Sequence, residues 1–257
     1  MNDLDVLISK KLIAACAALL FAGSPLAALT ETRASYSATA FALDTDEVLY
    51  VEEHTEHWSD GRLTKREVRY EDPEGRLIAE KQLHYGANPE APSFEMEDVR
   101  IGLREGAEVD SDTVVLFSGP AVERDRRRSV DRPENAVVDA GFDAFMRENF
   151  DAVAAGERIE FDFAVPAARR FFRFELVPQG EQSHRGDRAL LVSMRPASML
   201  LRLAVDPIQL VYSLDGRLLE FRGLANVCDE EGDRYKARIV FDYPDSGLSG
   251  LAAGAAL

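Results

Sequence analysis

The segment EEHTEH, from Glu52 to His57, places carboxylates next to imidazoles, the side chains that metal sites and acid–base catalysis use. In a β-strand alternate residues share a face, so Glu52, His54 and Glu56 point to the same side. One strand could therefore supply two carboxylates and an imidazole. Zinc sites usually draw ligands from several elements, however, and the HExxH spacing of a helical site is absent. The pattern is more typical of a charged strand face, and we expect neither a metal site nor a cofactor.

A wider polar set forms if the strands that carry these residues lie side by side. Its members are Tyr50, Glu52, His54, Lys81, Asp98 and Arg100. Residues two apart on one strand share a face, and this parity holds within the first strand and within the fourth. Because buried charges are costly unless they are paired, we expect ion pairs within the set. The candidate pairs are Glu52–Lys81 and Asp98–Arg100. The set is either a polar floor that orients the headgroup of a ligand or a structural ion-pair network.

The sequence contains no recognisable nucleophile arrangement. Ser118 and Ser193 lack the GxSxG turn, and the order of the four histidines does not compel a catalytic triad. Neither a Gly-rich phosphate loop nor a dinucleotide fingerprint occurs. A hydrolase that uses Glu52, His54 and Asp98 is an alternative, but a protein without catalytic activity is favoured.

Period-two alternation, broken by turns that contain glycine, predicts most of the elements that must position these residues. The expected strands are Val48–Trp58, Leu63–Tyr70, Arg76–Tyr85, Phe94–Arg104, Thr113–Ser118, Val122–Val130, Arg158–Val165, Arg170–Val177, Ala189–Arg195, Ile208–Leu214, Arg217–Leu224 and Arg234–Tyr243. Ser198–Ala204 fits either a short helix or a strand, and Gly180–Asp187 is expected to be a polar loop. Sequential strands without alternating helices predict a mainly β fold with one large curved antiparallel sheet, an open or half barrel.

One segment has helical periodicity, Phe142–Val153, with Phe142, Phe145 and Phe150 on one face. Asp139 is expected to cap its start. This principal helix should lay its aromatic face on the sheet, as a helix packed on a sheet requires. The same three rings are candidates for lining a ligand site between the helix and the sheet.

The apolar run Leu12–Gly23 follows two lysines and precedes small residues, which is the pattern of a secretory signal peptide. It is too short to span a bilayer, where about 20 residues are needed. A buried N-terminal helix is the alternative. Cleavage is expected after Ala28, with Ala40 as the fallback. The expected organisation is a signal peptide helix at 1–28, one β-rich domain at 29–245 and a flexible tail at 246–257. We therefore expect a periplasmic or secreted protein with no transmembrane segment in the mature chain.

Charge and cysteine content narrow the partners further. The formal net charge of −16 disfavours binding to phosphate backbones, so we expect no nucleic-acid partner. The Arg-rich segment at 123–132 is interleaved with acids and suits a solvated strand or loop. Cys16 lies in the leader, so the mature chain keeps Cys228 alone, and we expect that thiol to be structural.

Several short motifs carry a resemblance to a known family. They are Tyr50-x-Glu52-x-His54, the turn from Tyr70 to Gly75, Lys81, Pro92-x-Phe94, Asp98-x-Arg100, Gly106, Asp139-Ala140-Gly141-Phe142-Asp143, Ala155-Gly156-Glu157, Asp206-Pro207-Ile208 and Gly223-Leu224. On these residues the chain resembles a family of exported, uncharacterised proteobacterial proteins, which implies no established activity. The run DPIQLVYSLDGRLLEFRG at 206–223 is similar, more loosely, to the lipoprotein-localisation (LolA/LolB-like) carriers. That resemblance implies a half-barrel whose apolar concavity holds acyl chains.

These patterns favour an exported, non-catalytic binding or carrier protein for an apolar ligand such as a lipid or acyl chain, held between the sheet and the principal helix. One alternative is a structural or assembly partner of the cell envelope, which would use sheet edges and no small ligand. An exported hydrolase is the other. A roomy apolar cavity beneath the helix would favour a carrier, and a filled core would favour a structural role.

Overall fold

Fifteen β-strands form one sheet in the part of the chain that the structure describes, residues 30–120 and 126–244 of a computed structural model. The first eight are β1 (Glu31–Ala42), β2 (Val48–Ser59), β3 (Arg62–Glu71), β4 (Leu77–His84), β5 (Ser93–Asp98), β6 (Leu103–Val109), β7 (Thr113–Pro120) and β8 (Arg127–Asp131). The other seven are β9 (Ala136–Val137), β10 (Ile159–Val165), β11 (Arg170–His184), β12 (Asp187–Pro196), β13 (Ile208–Ser213), β14 (Leu218–Cys228) and β15 (Arg234–Asp242). The expected signal peptide and the expected tail lie outside the described residues.

Each half of the sheet is an antiparallel meander, since consecutive strands are neighbours from β1 to β8 and again from β10 to β15. β1 pairs with β15 and joins the two halves, with Ala40 opposite Ile239. The β2–β3 turn uses Asp60 and Gly61, both at positive φ, as a two-residue hairpin requires. The short β9 pairs in parallel with β10 at one edge. The predicted mainly β fold, one large curved sheet with one principal helix, is confirmed, and β9 is the exception to its antiparallel pairing.

The helical elements are α1 (Phe142–Ala154), α2 (Met199–Arg202) and the 3₁₀ turns Asp139–Gly141 and Pro166–Ala168. The bounds of α1 agree with the predicted helix Phe142–Val153 to within one residue. Its buried residues, Phe145, Met146 and Val153, pack against side chains of β10, β11, β12 and β13. None of the helices in the described ranges is long and apolar enough to cross a membrane.

The structure corrects several expected elements. A single strand over Phe94–Arg104 is wrong, because a turn separates β5 from β6, and Asp98 Oδ1 accepts a hydrogen bond from Arg100 N within it (3.0 Å). A loop at Gly180–Asp187 is wrong, because β11 and β12 continue through it to a tight hairpin turn. The expected strand Val122–Val130 lies partly outside the described residues, and β8 covers its second half. Strand β1, in the middle of the sheet, has no counterpart among the expected strands.

Three clusters of buried side chains fill the space enclosed by the sheet. The first joins β1–β5 to β14 and β15, the second joins α1 to β10–β13, and the third lies between β4–β7 and the β9–β11 edge. In the third cluster Ala164 and Phe171 of the C-terminal half pack with Leu83 and Leu116 of the N-terminal half. Side-chain packing therefore brings the far ends of the sheet together, although β8 and β9 are not paired with each other in the described chain.

The segment that leads into α1 is held tightly against the β4–β5 connection. Val138 N donates a hydrogen bond to the carbonyl oxygen of Glu90 (3.0 Å), and a Cβ at Gly141 would lie 2.0 Å from that same oxygen. Glycine is therefore required at position 141 by close approach of two backbones. Asp139, at positive φ, accepts a hydrogen bond from Ala140 N on its own carboxylate. This packing fixes where the acidic side chains at the start of α1 can reach.

Candidate functional site

Four residues of β2 line the inner face of the sheet at alternate positions, and we call them the inner row. They are Tyr50, Glu52, His54 and Glu56. All four are buried, although three of them can carry a charge. Tyr50 belongs to the first apolar cluster, so a shift of β2 by one residue would turn that ring, and the whole row, to the opposite face. Burial of the Tyr50 ring therefore keeps Glu52, His54 and Glu56 on the inner face.

Glu52 and His54 form a buried hydrogen-bonded pair. The imidazole Nε2 lies 2.8 Å from Glu52 Oε2, and the ring of Tyr36 stacks on the imidazole with 4.4 Å between the centroids. The other ring nitrogen, Nδ1 of His54, is buried and has no hydrogen-bond partner in the described part of the chain. Since most buried polar atoms in proteins are hydrogen-bonded, this nitrogen calls for a partner that residues 30–120 and 126–244 do not supply.

Of the two candidate pairs, Asp98–Arg100 forms and Glu52–Lys81 does not. Lys81 Nζ instead lies 3.1 and 3.2 Å from the two carboxylate oxygens of Asp139, just before α1, and both side chains are buried. The same ammonium lies 5.9 Å from the centroid of the Tyr70 ring. Two strand spacings, about 9–10 Å, separate β2 from β4, whereas the turn into α1 brings Asp139 directly to Lys81. The lysine therefore ties α1 to the N-terminal half of the sheet.

Asp98 is buried on the inner face at the end of β5. Arg100 was expected to share a strand face with Asp98, but it does not. Arg100 lies in the following turn, where its Nη2 pairs with Asp98 Oδ2 at 2.7 Å. The same nitrogen donates to the carbonyl oxygen of Cys228 on β14 (2.6 Å). Burial raises the pKa of the Cys228 thiol, which keeps it protonated and unreactive.

A larger charged group is centred on Arg66 of β3. Its Nε and Nη2 donate to Glu56 Oε1 at 3.1 and 2.6 Å, and its Nη1 donates to Asp143 Oδ2 of α1 at 2.6 Å. Trp58 Nε1 donates to the other oxygen of Glu56 (3.2 Å). Burial opposes the guanidinium charge, but the surrounding phenols and carboxylates together raise the pKa of Arg66 well above its usual value. Arg66 therefore stays charged, and with two carboxylates around it the group carries a net negative charge.

Four buried phenols lie within electrostatic reach of this group: Tyr36, Tyr85, Tyr212 and Tyr243. Burial raises the pKa of all four, and the charge of Asp143 raises it further, so each phenol lies within electrostatic reach of that carboxylate. The hydroxyls of Tyr85 and Tyr212 are buried and have no hydrogen-bond partner among the described residues, like the hydroxyl of Tyr50 in the inner row. We call the following residues the Arg66 cluster: Arg66, Glu56, Asp143, Tyr36, Tyr85, Tyr212 and Tyr243.

The three aromatic residues of α1 that were expected to line a ligand site differ in their surroundings. Phe145 is buried with its ring centroid 4.8 Å from that of Phe161, and Phe142 lies 5.7 Å from the same ring. Phe150 instead meets Tyr212 edge to face, with 6.3 Å between centroids. The protein's own side chains thus fill the contact between α1 and the sheet, and Phe150 is the helix ring that borders the Arg66 cluster.

The structure does not assemble the set that the hydrolase alternative requires. Glu52 is bonded to His54, but Asp98 lies opposite Ala79 of β4, which places it three strands from Glu52. Its carboxylate is occupied by Arg100. Within residues 30–120 and 126–244, no group of three or more His, Cys, Asp or Glu side chains is arranged to hold a metal ion.

Several inner-face residues were not identified from the sequence. They include Arg66 and Asp143, and also Glu105, whose carboxylate accepts hydrogen bonds from Arg234 at 2.8 and 2.6 Å. The signal for Arg66 is its position on β3, where alternation assigns it to the buried face. The signal for Asp143 is its place in the DAGFD motif, which also holds Asp139. Neither the alternation on β3 nor the DAGFD motif indicates that Arg66 and Asp143 pair with each other.

Comparisons with known proteins show a likeness to solved structures. No protein-family model matches the chain, and no curated protein does. A similar solved structure is the crystal structure of a β-barrel-like protein of the domain of unknown function DUF1849 from Brucella abortus. The alignment covers 84% of this chain and 96% of that chain, with 11% sequence identity and a TM-score of 0.48.

Proposed function

We propose that this protein is an exported binding protein whose ligand is amphipathic, with a neutral polar head and an apolar tail such as an acyl chain. The observation that carries the proposal is a set of buried polar atoms on the inner face that lack hydrogen-bond partners in the described chain. The atoms are Tyr50 Oη, His54 Nδ1, Tyr85 Oη and Tyr212 Oη. An unsatisfied buried hydroxyl or ring nitrogen costs stability, so a bound molecule that satisfies these atoms would be retained.

The charge of the Arg66 cluster favours a neutral head over an anionic one. Its guanidinium already donates to two carboxylates, Glu56 and Asp143, and the cluster has an excess of negative charge. A phosphate placed in this low-dielectric environment would be repelled. The hydroxyls of Tyr85 and Tyr212 can donate to an ester carbonyl or accept from an alcohol. An acyl ester or a fatty alcohol therefore fits the donors and acceptors that are free.

Aromatic rings in the Arg66 cluster and next to it supply an apolar surface for a tail. Tyr36 stacks on His54 and lies 5.0 Å from Tyr243, which in turn stacks with Phe241 at 6.3 Å. Phe150 borders the same region. The resemblance of residues 206–223 to the lipoprotein carriers implies a curved sheet closed by one helix. That architecture supports a binding role of this kind. Because side chains of the second apolar cluster pack beneath Phe145, we place the proposed site beside α1, where Asp143 and Phe150 border the Arg66 cluster.

Export to the periplasm is part of the proposal. The position of β1 distinguishes between the two candidate cleavage sites of the signal peptide. Cleavage after Ala40 would remove most of β1, which pairs with β2 on one side and β15 on the other. Cleavage after Ala28 would leave that strand intact. We therefore expect protein from a periplasmic fraction to begin near Leu29, as measured by N-terminal sequencing. Intact Met1 in the cytoplasm would contradict export, and a start at Phe41 would contradict the role of β1.

The ligand is tested by native mass spectrometry of the protein purified from the envelope without detergent. The wild type is expected to carry a co-purifying lipid-sized mass. The double variant Tyr85→Phe with Tyr212→Phe is expected to lose that mass, because it removes the hydroxyls that face the head. The same variant should unfold at a denaturant concentration equal to or above that of the ligand-free wild type, since neither hydroxyl has a hydrogen-bond partner to lose among the described residues.

A matched control is Tyr235→Phe, which removes the hydroxyl of a partly buried tyrosine that is not a member of the Arg66 cluster and whose ring centroid lies 6.2 Å from that of Tyr50. It should retain the ligand. The proposal is wrong if the wild type carries no ligand, or if the double variant and the control retain it equally. A ligand-free double variant that loses about 1 kcal/mol per hydroxyl would show that buried water, and not a ligand, satisfies these atoms.

A further inference from the structure

Strand β8 ends the N-terminal half of the sheet, and in the described chain only β7 pairs with it. Four of its five residues are exposed: Arg127, Arg128, Ser129 and Asp131. Val130, the fifth, packs against the third apolar cluster. One long edge of β8 thus presents backbone N–H and C=O groups to a strand from outside. Nothing in the proposed function uses this edge, which we call the β8 edge.

The hydrogen-bond pattern shows which residues face the β8 edge. In an antiparallel pair of strands, residues that exchange hydrogen bonds with the partner strand alternate with residues that do not. Arg132 N donates to the carbonyl oxygen of Asp112 (2.9 Å), and these two residues continue the β7–β8 register by one position. Arg128 and Val130 therefore bond to β7. The backbone groups that point to the β8 edge are those of Arg127, Ser129 and Asp131.

These three residues are complementary to the same three residues of a second copy of the chain. When two β8 strands run antiparallel about a two-fold axis at Ser129, Arg127 of each copy lies opposite Asp131 of the other. The opposed residues can exchange about six backbone hydrogen bonds. The Arg–Asp pairs add opposite charges at directly opposed positions, which stabilises the pairing of strands.

We infer that the β8 edge joins two copies of this chain into a two-fold dimer, in which the two sheets become continuous. A two-fold interface uses the same patch on both partners and closes on itself, and a self-complementary strand provides such a patch. In strand addition the main-chain hydrogen bonds supply affinity and the side chains supply specificity. The inference concerns the edge of the sheet and does not depend on the proposed ligand.

The charges favour this register over its neighbours. A shift of two residues in either direction keeps the hydrogen-bond pattern, but it places Arg127 or Asp131 opposite Ser129 and removes both ion pairs. In the proposed register the next pair outward is Arg126 with Arg132, whose like charges oppose pairing beyond the five residues of β8. The contact is therefore specified at its centre and limited at its ends.

Arg127 can serve the second copy without giving up the contacts that it makes within its own chain. Its guanidinium pairs with Glu108 of β6 and lies 5.0 Å from the centroid of the Phe117 ring on β7. A guanidinium carries enough N–H donors for two carboxylates. Asp131 lies on the same face of the strand as Arg127, because alternate residues share a face. Asp131 has no ion-pair partner among residues 30–120 and 126–244.

The test is sedimentation velocity of the full chain over a range of concentrations. Because β8 offers a smaller interface than the ~800 Å² per partner of a stable complex, the wild type is expected to form a dimer that dissociates on dilution. Arg127→Asp and Asp131→Arg each create two like-charged pairs, so each should raise the dissociation constant about tenfold or more. An equimolar mixture of the two variants should associate about as tightly as the wild type, because every contact then pairs opposite charges. Separate structural roles for the two residues would not produce this recovery.

Ser129→Pro removes the backbone N–H at the centre of the contact and should abolish the dimer. It leaves the bonds to β7 intact, because that N–H faces the β8 edge, where proline is tolerated. Ser129→Ala is the matched control, which keeps the N–H and should dimerise as the wild type does. Circular dichroism should show the same fold for every variant. All variants share the same N-terminus, so any association through Leu12–Gly23 is equal in each.

The inference is wrong if the wild type stays monomeric, or if the mixture of Arg127→Asp and Asp131→Arg associates no more tightly than either variant alone. It is also wrong if Ser129→Pro dimerises as Ser129→Ala does. Assemblies larger than a dimer would show that β8 pairs with a different edge of the sheet, which contradicts a closed two-fold contact.

Discussion

An Arg66→Met variant is expected to lose about 3–5 kcal/mol of unfolding free energy, the cost of breaking a buried ion pair by removing one partner. The methionine would keep much of the apolar stem but leave the carboxylates of Glu56 and Asp143 without their guanidinium, in a site where the Arg66 side chain is only 6% exposed. Equilibrium urea denaturation, followed by circular dichroism, measures the loss. Fluorescence of Trp58, the single tryptophan, reports locally because its indole N–H bonds Glu56.

The control is Arg69→Met on the same strand. Arg69 points outward and makes exposed ion pairs with Glu71 and Glu80, so its loss should cost no more than about 1 kcal/mol. Adding Glu56→Gln and Asp143→Asn to Arg66→Met should recover part of the stability, because the penalty comes from unpaired carboxylates. Equal losses for Arg66→Met and Arg69→Met would show that the Arg66 cluster does not stabilise the fold.

The sequence predicted which charged residues lie on the inner face better than it predicted their ion-pair partners. The Arg66–Asp143 and Lys81–Asp139 pairs show why. Period-two parity depends on the chain alone, and it placed Glu52, Lys81 and Asp98 on buried positions of neighbouring strands. The partner of Lys81 is Asp139, which lies 58 residues further along the chain. Asp139 reaches Lys81 because the turn before α1 is held in place by the packing of Gly141 against Glu90. The alternation of residues along a strand carries no information about contacts between residues that are far apart in the sequence.

Errors in the predicted elements have similar causes. The predicted strand Phe94–Arg104 runs across the turn between β5 and β6, although the apolar residues change there from even positions (94 and 96) to odd positions (99, 101 and 103). Within that turn Asp98 Oδ1 accepts a hydrogen bond from Arg100 N. Strand β1 was missed because its inner positions carry small residues such as Ala38 and Ala40, which give a weak hydrophobic period. By contrast, α1 was placed to within one residue because its apolar face repeats strictly.

Truncating Phe145 to alanine is expected to cost about 3–5 kcal/mol of unfolding free energy, the usual range for removing a fully buried phenylalanine ring. Phe145 is 5% exposed, and its ring lies 4.8 Å from that of Phe161 in the second apolar cluster. The loss is measured by the same urea denaturation. The matched variant is Phe150→Ala on the same helix face, which should cost less than half as much because Phe150 is partly exposed.

The comparison between Phe145 and Phe150 decides how α1 relates to the proposed binding site. If α1 packs on a filled core, Phe145→Ala opens a cavity that the surrounding side chains cannot close, and it destabilises the free protein whether or not ligand is present. Phe150→Ala should then affect ligand retention more than stability, because Phe150 borders Tyr212. A Phe145→Ala loss within about 0.5 kcal/mol, as for a surface site, would contradict the filled core. The helix would then lie loosely on the sheet, and the ligand would belong beneath it, where the sequence first placed it.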